Sequence, residues 1–348
     1  MTLHRLFYLP MVLLAVGCLS APAWAGTVRH DRVFRTDGSP SVDYPYDSDP
    51  DVDPYLALGA QPQYAAVGEI LLDINGTEFF WGCGTLIAPD WVLTAAHISL
   101  EGRVDPMSFR IGGTEYATDR WLAHENFDYR VFSGYDIGLV HLVSSVVGIT
   151  PAERYTGSDE LGKVGVSVGY GWTGTGLTGS IEVENGNVTL IRQDGRKRAG
   201  ENDIDSYLDR GIDPLLDYYL DVLGPPQPFP NPRILLSDFD NPLNDENNST
   251  GDNSLGDYRP LDLEFSISYG DSGGGVFIGN KLAAVHSGGV PLDRLRDSDY
   301  GDLSLHTRVS VFNDWINARI IPEPGSLIVW SLLAGLGIAV GWRRRKAA

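Results

Sequence analysis

Short apolar runs separated by Gly, Asn and Asp turns dominate the chain from Gln61 onward. "AAVGEILLDI", "FFWGCGTLI", "DWVLTAA", "DIGLVHL", "VGVSVGYGW", "NVTLI", "GGVFIG" and "KLAAVHSGG" follow one another at strand length. Runs of this kind, bounded by turn residues, predict an all-β sandwich or barrel. The rhythm breaks over about 181–262. That insertion holds one helix candidate, "DPLLDYYLDVLG", with Asp213 as cap, Pro214 in the first turn and Gly224 at the end. Leu215, Leu216, Tyr219, Leu220 and Leu223 fall on one face of it. A proline-rich loop, a short strand candidate "RILL" and the polar stretch "DNPLNDENNSTGDNSLGD" follow. The acids in that stretch lack the ligand spacing of a calcium loop, so it reads as solvated. A second helix is expected at Val311 to Ala318. Residues 26–60, rich in Asp, Pro, Ser and Tyr with few apolar anchors, read as a propeptide or a loosely held arm. Residues 61–320 form the main domain.

The two ends carry targeting patterns. Residues 1–25 have a short basic start (His4, Arg5), an apolar run from Leu6 to Leu19, and Ala23-Trp24-Ala25, a small-x-small cleavage site before Gly26. The run is short for a membrane span. Cys18 offers a lipidation site as the alternative, although Ala15 three residues earlier matches that pattern weakly. At the other end, residues 321–348 run Pro-Glu-Pro, then about 18 mostly apolar residues, long enough to span a bilayer, then Arg343, Arg344, Arg345 and Lys346. This segment resembles a PEP-CTERM sorting signal of Gram-negative bacteria. The resemblance implies transit of the inner membrane, tail removal by an exosortase near Pro322 to Pro324, and a mature protein secreted or held at the cell surface. A plain membrane anchor is the alternative.

The net charge of −20 excludes a nucleic-acid partner, because phosphate binding needs a basic face. Once the export signal is removed, Cys83 is the only cysteine left, so no intramolecular disulfide can form. The core must hold by packing.

Ser272 is the candidate nucleophile. It lies in "SYGDSGGGVF", where Gly270-Asp271-Ser272-Gly273-Gly274 also fits the G-x-S-x-G pattern of a nucleophile elbow. A serine hydroxyl needs a general base. Of His30, His97, His124, His141, His286 and His306, His97 stands out, because it ends the apolar strand "DWVLTAA" behind two small alanines. Asp136 opens the apolar strand "DIGLVHL", where a carboxylate is costly unless paired. "DWVLTAAH", "DIGLVHL", "GDSGGGVF" and "HTRVSVFNDWI", in this order, resemble the chymotrypsin/trypsin-like serine proteases. The resemblance spans about 62–320 and implies two antiparallel six-stranded β-barrels, a C-terminal helix, and a long insertion in the second barrel. It makes His97 the general base, Asp136 its orienter and Ser272 the nucleophile, with the N–H groups of Gly270 and Ser272 as the oxyanion hole. The elbow reading requires the order Ser, acid, His and a helix after the serine. Here three glycines and a strand-like run follow.

The resemblance also sets expectations about the surroundings. Asp271 pairs with a freed terminal amine in that family, yet no Ile-Val-Gly-Gly start precedes "AAVGEI". Cys83 matches a family cysteine whose partner position is Ile98 here, leaving a buried thiol. Gly275 stands where proline is usual. For substrate binding, Ser266 takes the pocket-base position, which is Asp in trypsin, and His286, Ser287 and Gly289 belong to the substrate-pairing strand. His286 resembles the pocket histidine of glutamate-specific members, but Ile267 replaces their hydroxyl, and Ser304 narrows the pocket. The expected function is a secreted serine endopeptidase acting on protein or peptide substrates without metal or organic cofactor, processed by signal peptidase and exosortase. The competing readings are a catalytically silent surface binding protein and an α/β-hydrolase esterase.

Overall fold

A computed structural model describes residues 26–35, 37, 39, 53–99, 106–184, 187–190, 195–208, 232–244, 254–256, 259–292 and 296–320. Strand β1 (Thr27–Val28) comes first, followed by helix α1 (Pro54–Gly59). Asp53 caps α1, its Oδ1 accepting from Tyr55 N at 3.0 Å and Leu56 N at 3.2 Å, and Pro54 opens the first turn. Three apolar side chains of this segment are buried. Val28, Val33 and Tyr55 are buried with Phe265 and Ile267 in one cluster. The Tyr55 hydroxyl accepts from Arg29 N at 3.1 Å and donates to Glu264 O at 3.2 Å. The described parts of 26–60 therefore differ from the loose arm that their polar composition suggests. Three buried side chains and a set of paired polar groups anchor them.

The first barrel is made of β2 (Val67–Ile74), β3 (Thr77–Ala88), β4 (Trp91–Thr94), β5 (Met107–Ile111), β6 (Thr114–Ala123) and β7 (Gly138–Leu142). It closes in the order β2-β3-β4-β7-β6-β5. Asn75 and Gly76, both at positive φ, make the two-residue turn between β2 and β3, the Asn-Gly pairing that suits a tight hairpin.

The second half contains β8 (Val164–Gly169), β9 (Gly174–Thr175), β10 (Ile181–Glu184), β11 (Asn187–Leu190), β12 (Arg198–Asp203), β13 (Ser206–Tyr207), β14 (Ile234–Asp238), β15 (Phe265–Ser266), β16 (Gly275–Ile278), β17 (Lys281–Val290), β18 (Arg296–Asp297) and β19 (Leu303–Arg308). Among the described residues its main sheet is an open ladder of seven strands, β12-β8-β16-β17-β19-β14-β13, and not a closed barrel of six. The two edge strands are nevertheless consecutive in the chain, joined by Ile204 and Asp205 alone. Asp205 N donates to Leu236 O at 3.0 Å, so the sheet curls until its ends meet at a bend and not along a ladder. β1 lies between β15 and β9, and β10 lies between β11 and β18, in two three-stranded sheets. The helix expected at 213–224 lies outside the described residues, as does the tail 321–348. No helix among the described residues is long and apolar enough to cross a membrane.

One buried ion pair fastens this half. Arg308 Nε and Nη2 each reach a Glu160 carboxylate oxygen at 2.7 Å, and Ser310 Oγ donates to Oε1 at 2.9 Å. Glu160 is 0% exposed. Removing one partner of such a pair strands the other charge, so Glu160→Ala is expected to lower the unfolding free energy by about 3–5 kcal/mol. The check is the chemical denaturation midpoint, and a change within error would mean that water reaches Arg308.

Residues 311–348 form a separate unit. Its described part is α2 (Asn313–Ile320), close to the expected helix, with Arg319 Nη1 donating to Trp315 O at 3.0 Å and its guanidinium 4.3 Å from the Trp315 ring centroid.

Candidate active site

β4 delivers His97 after Ala95 and Ala96, both 0% exposed. Ile98 N and Ser99 N return to Ala95 O, tightening the chain into a turn. Asp136, just before β7, is also 0% exposed, and donors surround its carboxylate. His97 N donates to Oδ1 at 2.9 Å, His97 Nδ1 lies 2.7 Å from Oδ2, and Ser287 Oγ donates to Oδ2 at 2.6 Å. A carboxylate accepts only, so Nδ1 carries the proton and Nε2 is left as the basic nitrogen. Ser287, which we expected at the substrate, spends its hydroxyl on Asp136.

The Ser272 loop is fitted against the same region. A Cβ on Gly82 would stand 2.8 Å from Ile98 Cδ1 and 2.9 Å from Ser272 O, so the residue after His97 and the candidate nucleophile Ser272 back onto one glycine. A Cβ on Gly273 would stand 2.1 Å from Thr94 Oγ1 and 2.1 Å from Cys83 O, and Gly273 is at φ +86°. Only glycine fits both the angle and the space. Cys83 N donates to Ser272 O at 2.8 Å, and the Cys83 thiol donates to Gly270 O at 3.2 Å while accepting from Tyr170 N at 3.3 Å. Cys83 is thus more than a core filler, because it braces the loop on both sides of Asp271. Gly270 sits at φ +87°. Among the described residues neither Gly270 N–H nor Ser272 N–H has an acceptor in the fold, and Ser272 Oγ has no hydrogen-bond partner.

Asp271 is the anchor beneath the loop. Its fully buried carboxylate accepts from Gly171 N at 2.8 Å, from Ser268 N at 2.8 Å and from Gly26 N at 3.0 Å. Burial pushes the carboxyl up to about 7, against the pull of these three N–H groups and the charge of Arg198. Gly26 was not legible as part of the site, although the cleavage pattern ending at Ala25 marks it out.

The residues expected around the pocket base fall together. Ser266 Oγ is 3.2 Å from Ser304 Oγ, Ile267 N donates to Ser304 Oγ at 3.3 Å, and Ser298 Oγ donates to Ile267 O at 2.8 Å. Gly289 is exposed on β17. His286 departs from its expected place. It is 0% exposed, with Nδ1 3.0 Å from Nδ1 of His306, whose Nε2 lies 3.1 Å from Ser237 Oγ. β17 is bulged here: Ser287 is the extra residue between His286 and Gly288 and reaches Asp136, while His286 stays paired with His306 across the sheet. Burial holds His306 down to about 3, and burial with the nearby His306 holds His286 well below its ordinary value. Both rings are therefore neutral. His286 supports the Ser272 loop from inside, through Gly273 N to His286 O and His286 N to Gly274 O, each 2.9 Å.

No cluster of His, Cys, Asp and Glu among the described residues could hold a metal ion. A cavity of about 300 Å³ is lined by Asn202, Asp203, Asp205, Asp238, Asp240 and Glu264. Backbone N–H groups of Ser254 and Leu255 already occupy Asp238 Oδ2, at 2.7 and 2.6 Å. Burial, first of all, pushes Asp205 up to about 8 and Asp238 to about 6.

The first barrel and both His97 and Asp136 lie in a stretch with a family match. Residues 62–212 match the model of the trypsin family. The match covers less than half of the chain and stops short of Ser272. Within it the fold is trypsin-like, as the strand motifs led us to expect. No curated protein matches the chain. Among solved structures, neuropsin, a serine protease expressed in the limbic system of mouse brain, is 15% identical to it. That likeness covers 75% of this chain and 96% of the other, at a TM-score of 0.49.

Proposed function

We propose that the chain is a serine endopeptidase that works by an acyl-enzyme intermediate. The observation that carries this reading is the fixed imidazole of His97, with Nδ1 on the buried Asp136 carboxylate and that carboxylate also held by Ser287. Ser272 Oγ attacks the peptide carbonyl, and Nε2 of His97 takes its proton and gives it to the leaving amine. Asp136 keeps the tautomer and stabilises the imidazolium. Water then repeats the sequence on the acyl-serine, releasing the carboxylic acid product. The unengaged N–H groups of Gly270 and Ser272 receive the oxyanion, and losing one such donor costs about 10²–10³ in rate.

The pocket favours an uncharged side chain before the scissile bond. Ser266 and Ser304 offer hydroxyls and no charge, and His286 is neutral and turned inward, which removes the basis for an acidic preference. In the same reading, residues 1–25 direct export, 321–348 is the sorting tail, and the mature protein acts outside the inner membrane. Cleavage-site profiling with a peptide library tests the proposal. We expect turnover with uncharged residues at the cleaved position and at least tenfold less with Glu, Lys or Arg. A strict Glu requirement would sink the pocket assignment, and no turnover at all would favour a binding protein.

A further inference from the structure

We propose that the stacked rings of Trp172 and Tyr269 clamp the Tyr269–Gly270 peptide in the orientation that turns the Gly270 N–H outward to the reacting carbonyl. Both side chains are then positioning residues for the oxyanion. This rests on the endopeptidase reading and adds two residues to its machinery. The two ring centroids lie 5.1 Å apart at an interplanar angle of 23°. The same two residues are also joined through their backbones, Trp172 N donating to Tyr269 O at 2.6 Å.

One carbonyl decides where the oxyanion donor points. A trans peptide is planar, with its C=O and N–H on opposite sides. Tyr269 O and the Gly270 N–H belong to one such unit. With Tyr269 O drawn to Trp172 N, the Gly270 N–H faces away from Trp172, where no group among the described residues accepts from it. The next peptide is tied as well, since the Cys83 thiol donates to Gly270 O at 3.2 Å. Gly171 lets the two segments approach. A Cβ there would stand 2.5 Å from Asp271 N and 2.7 Å from Tyr269 O, so a larger residue would push Trp172 off the loop.

The peptide needs a clamp because of its glycine. Gly270 sits at φ +87°, and a glycine takes positive and negative φ about equally well. Turning the Tyr269–Gly270 peptide over would point its N–H inward and remove one of the two donors. The backbone bond from Trp172 is a single contact against that rotation. Offset stacking of the rings adds a second contact between the same two residues and keeps donor and acceptor in register. Tyr269 is 40% exposed and Trp172 is half-buried, so the stack lies at the surface beside Gly270 and does not serve as core packing.

The test uses the exported, processed chain and the variants Trp172→Ala, Tyr269→Ala, Trp172→Phe and Tyr269→Phe. Each alanine variant should lower kcat by about 10², the scale of losing one oxyanion donor. KM should stay within about threefold, because the lost interaction is made in the transition state. The double alanine variant should lose no more than either single one, as two residues of one unit do. The phenylalanine variants keep a stack and should stay within about fivefold of wild type. A rise in KM at unchanged kcat would overturn the inference and make the rings a substrate contact. Unchanged rates in both alanine variants would overturn it outright. If Trp172→Ala fails to fold, Tyr269→Ala, whose wild-type ring is partly exposed, carries the same test. Hydrogen exchange read residue by residue by NMR needs no activity. The Trp172 N–H should be protected in wild type and exchange at least about tenfold faster in Tyr269→Ala, and equal exchange would overturn the clamp. A wild type without turnover that still shows this loss of protection would keep the clamp and defeat the endopeptidase reading.

Discussion

Ser272→Ala is expected to lower kcat by about 10⁶ while leaving KM within a few-fold, since removing a triad nucleophile costs about as much as removing the whole triad. On the proposed mechanism the substitution takes away the atom that would bond to substrate and nothing that the fold uses. Ser272 Oγ has no hydrogen-bond partner among the described residues, and the residue's structural tie is its carbonyl, which accepts from Cys83 N at 2.8 Å. The variant should therefore unfold at the wild-type denaturant midpoint. A loss of activity with an unchanged midpoint separates chemistry from stability, and a variant that keeps a tenth of wild-type activity would remove Ser272 from the mechanism.

Asp136→Asn is the second large effect, with kcat expected to fall by about 10⁴, the scale on which a wrong imidazole tautomer disables a triad. The wild-type carboxylate accepts three hydrogen bonds, from His97 N, His97 Nδ1 and Ser287 Oγ. An asparagine amide has one oxygen for them. If that oxygen serves His97 N, the NH₂ faces Nδ1 and the ring must present Nδ1 as an acceptor, which moves the proton to Nε2. The nitrogen that should accept the serine proton is then already protonated. The backbone geometry should survive, because the two groups have the same shape. Steady-state kinetics with circular dichroism distinguish this from misfolding. A fall of less than tenfold with the fold intact would mean that Asp136 does not govern the tautomer.

The strands of the first barrel were readable where one face alternates with the other or where the run is wholly apolar, as in β2, β4 and β7. β6 was not, because none of its residues is buried and its sequence, "TEYATDRWLA", mixes charged and polar residues with apolar ones. β19 escaped for the opposite reason. All six residues of "LSLHTR" are buried, and Ser304 meets Ser266, His306 meets His286 and Ser237, and Arg308 meets Glu160, all remote in sequence. Burial of polar residues is a tertiary event that local pattern does not announce.

His97, Asp136 and Ser272 were legible as candidates because each flanks a strand-like run in a distinctive local setting. Their supports were not. Cys83 looked like a small apolar residue, yet its thiol and backbone hold both flanks of Asp271. His286 looked like a pocket residue, but the face of β17 it occupies is decided by Ser287 reaching Asp136, a contact 151 positions away. Gly26 precedes a two-residue strand with no periodicity to detect, and its partner Asp271 lies 245 positions away. In each case the deciding contact is remote in sequence and depends on one geometry of one loop.

The central claim is that His97, Asp136 and Ser272 act together on a peptide carbonyl. The most direct measurement is fluorophosphonate labelling of the exported, processed wild-type chain, followed by mass mapping of the adduct. The account predicts one adduct, on Ser272, whose formation is lost in His97→Ala. An unlabelled chain, an adduct on a different serine, or labelling of Ser272 at the same rate without His97 would contradict it.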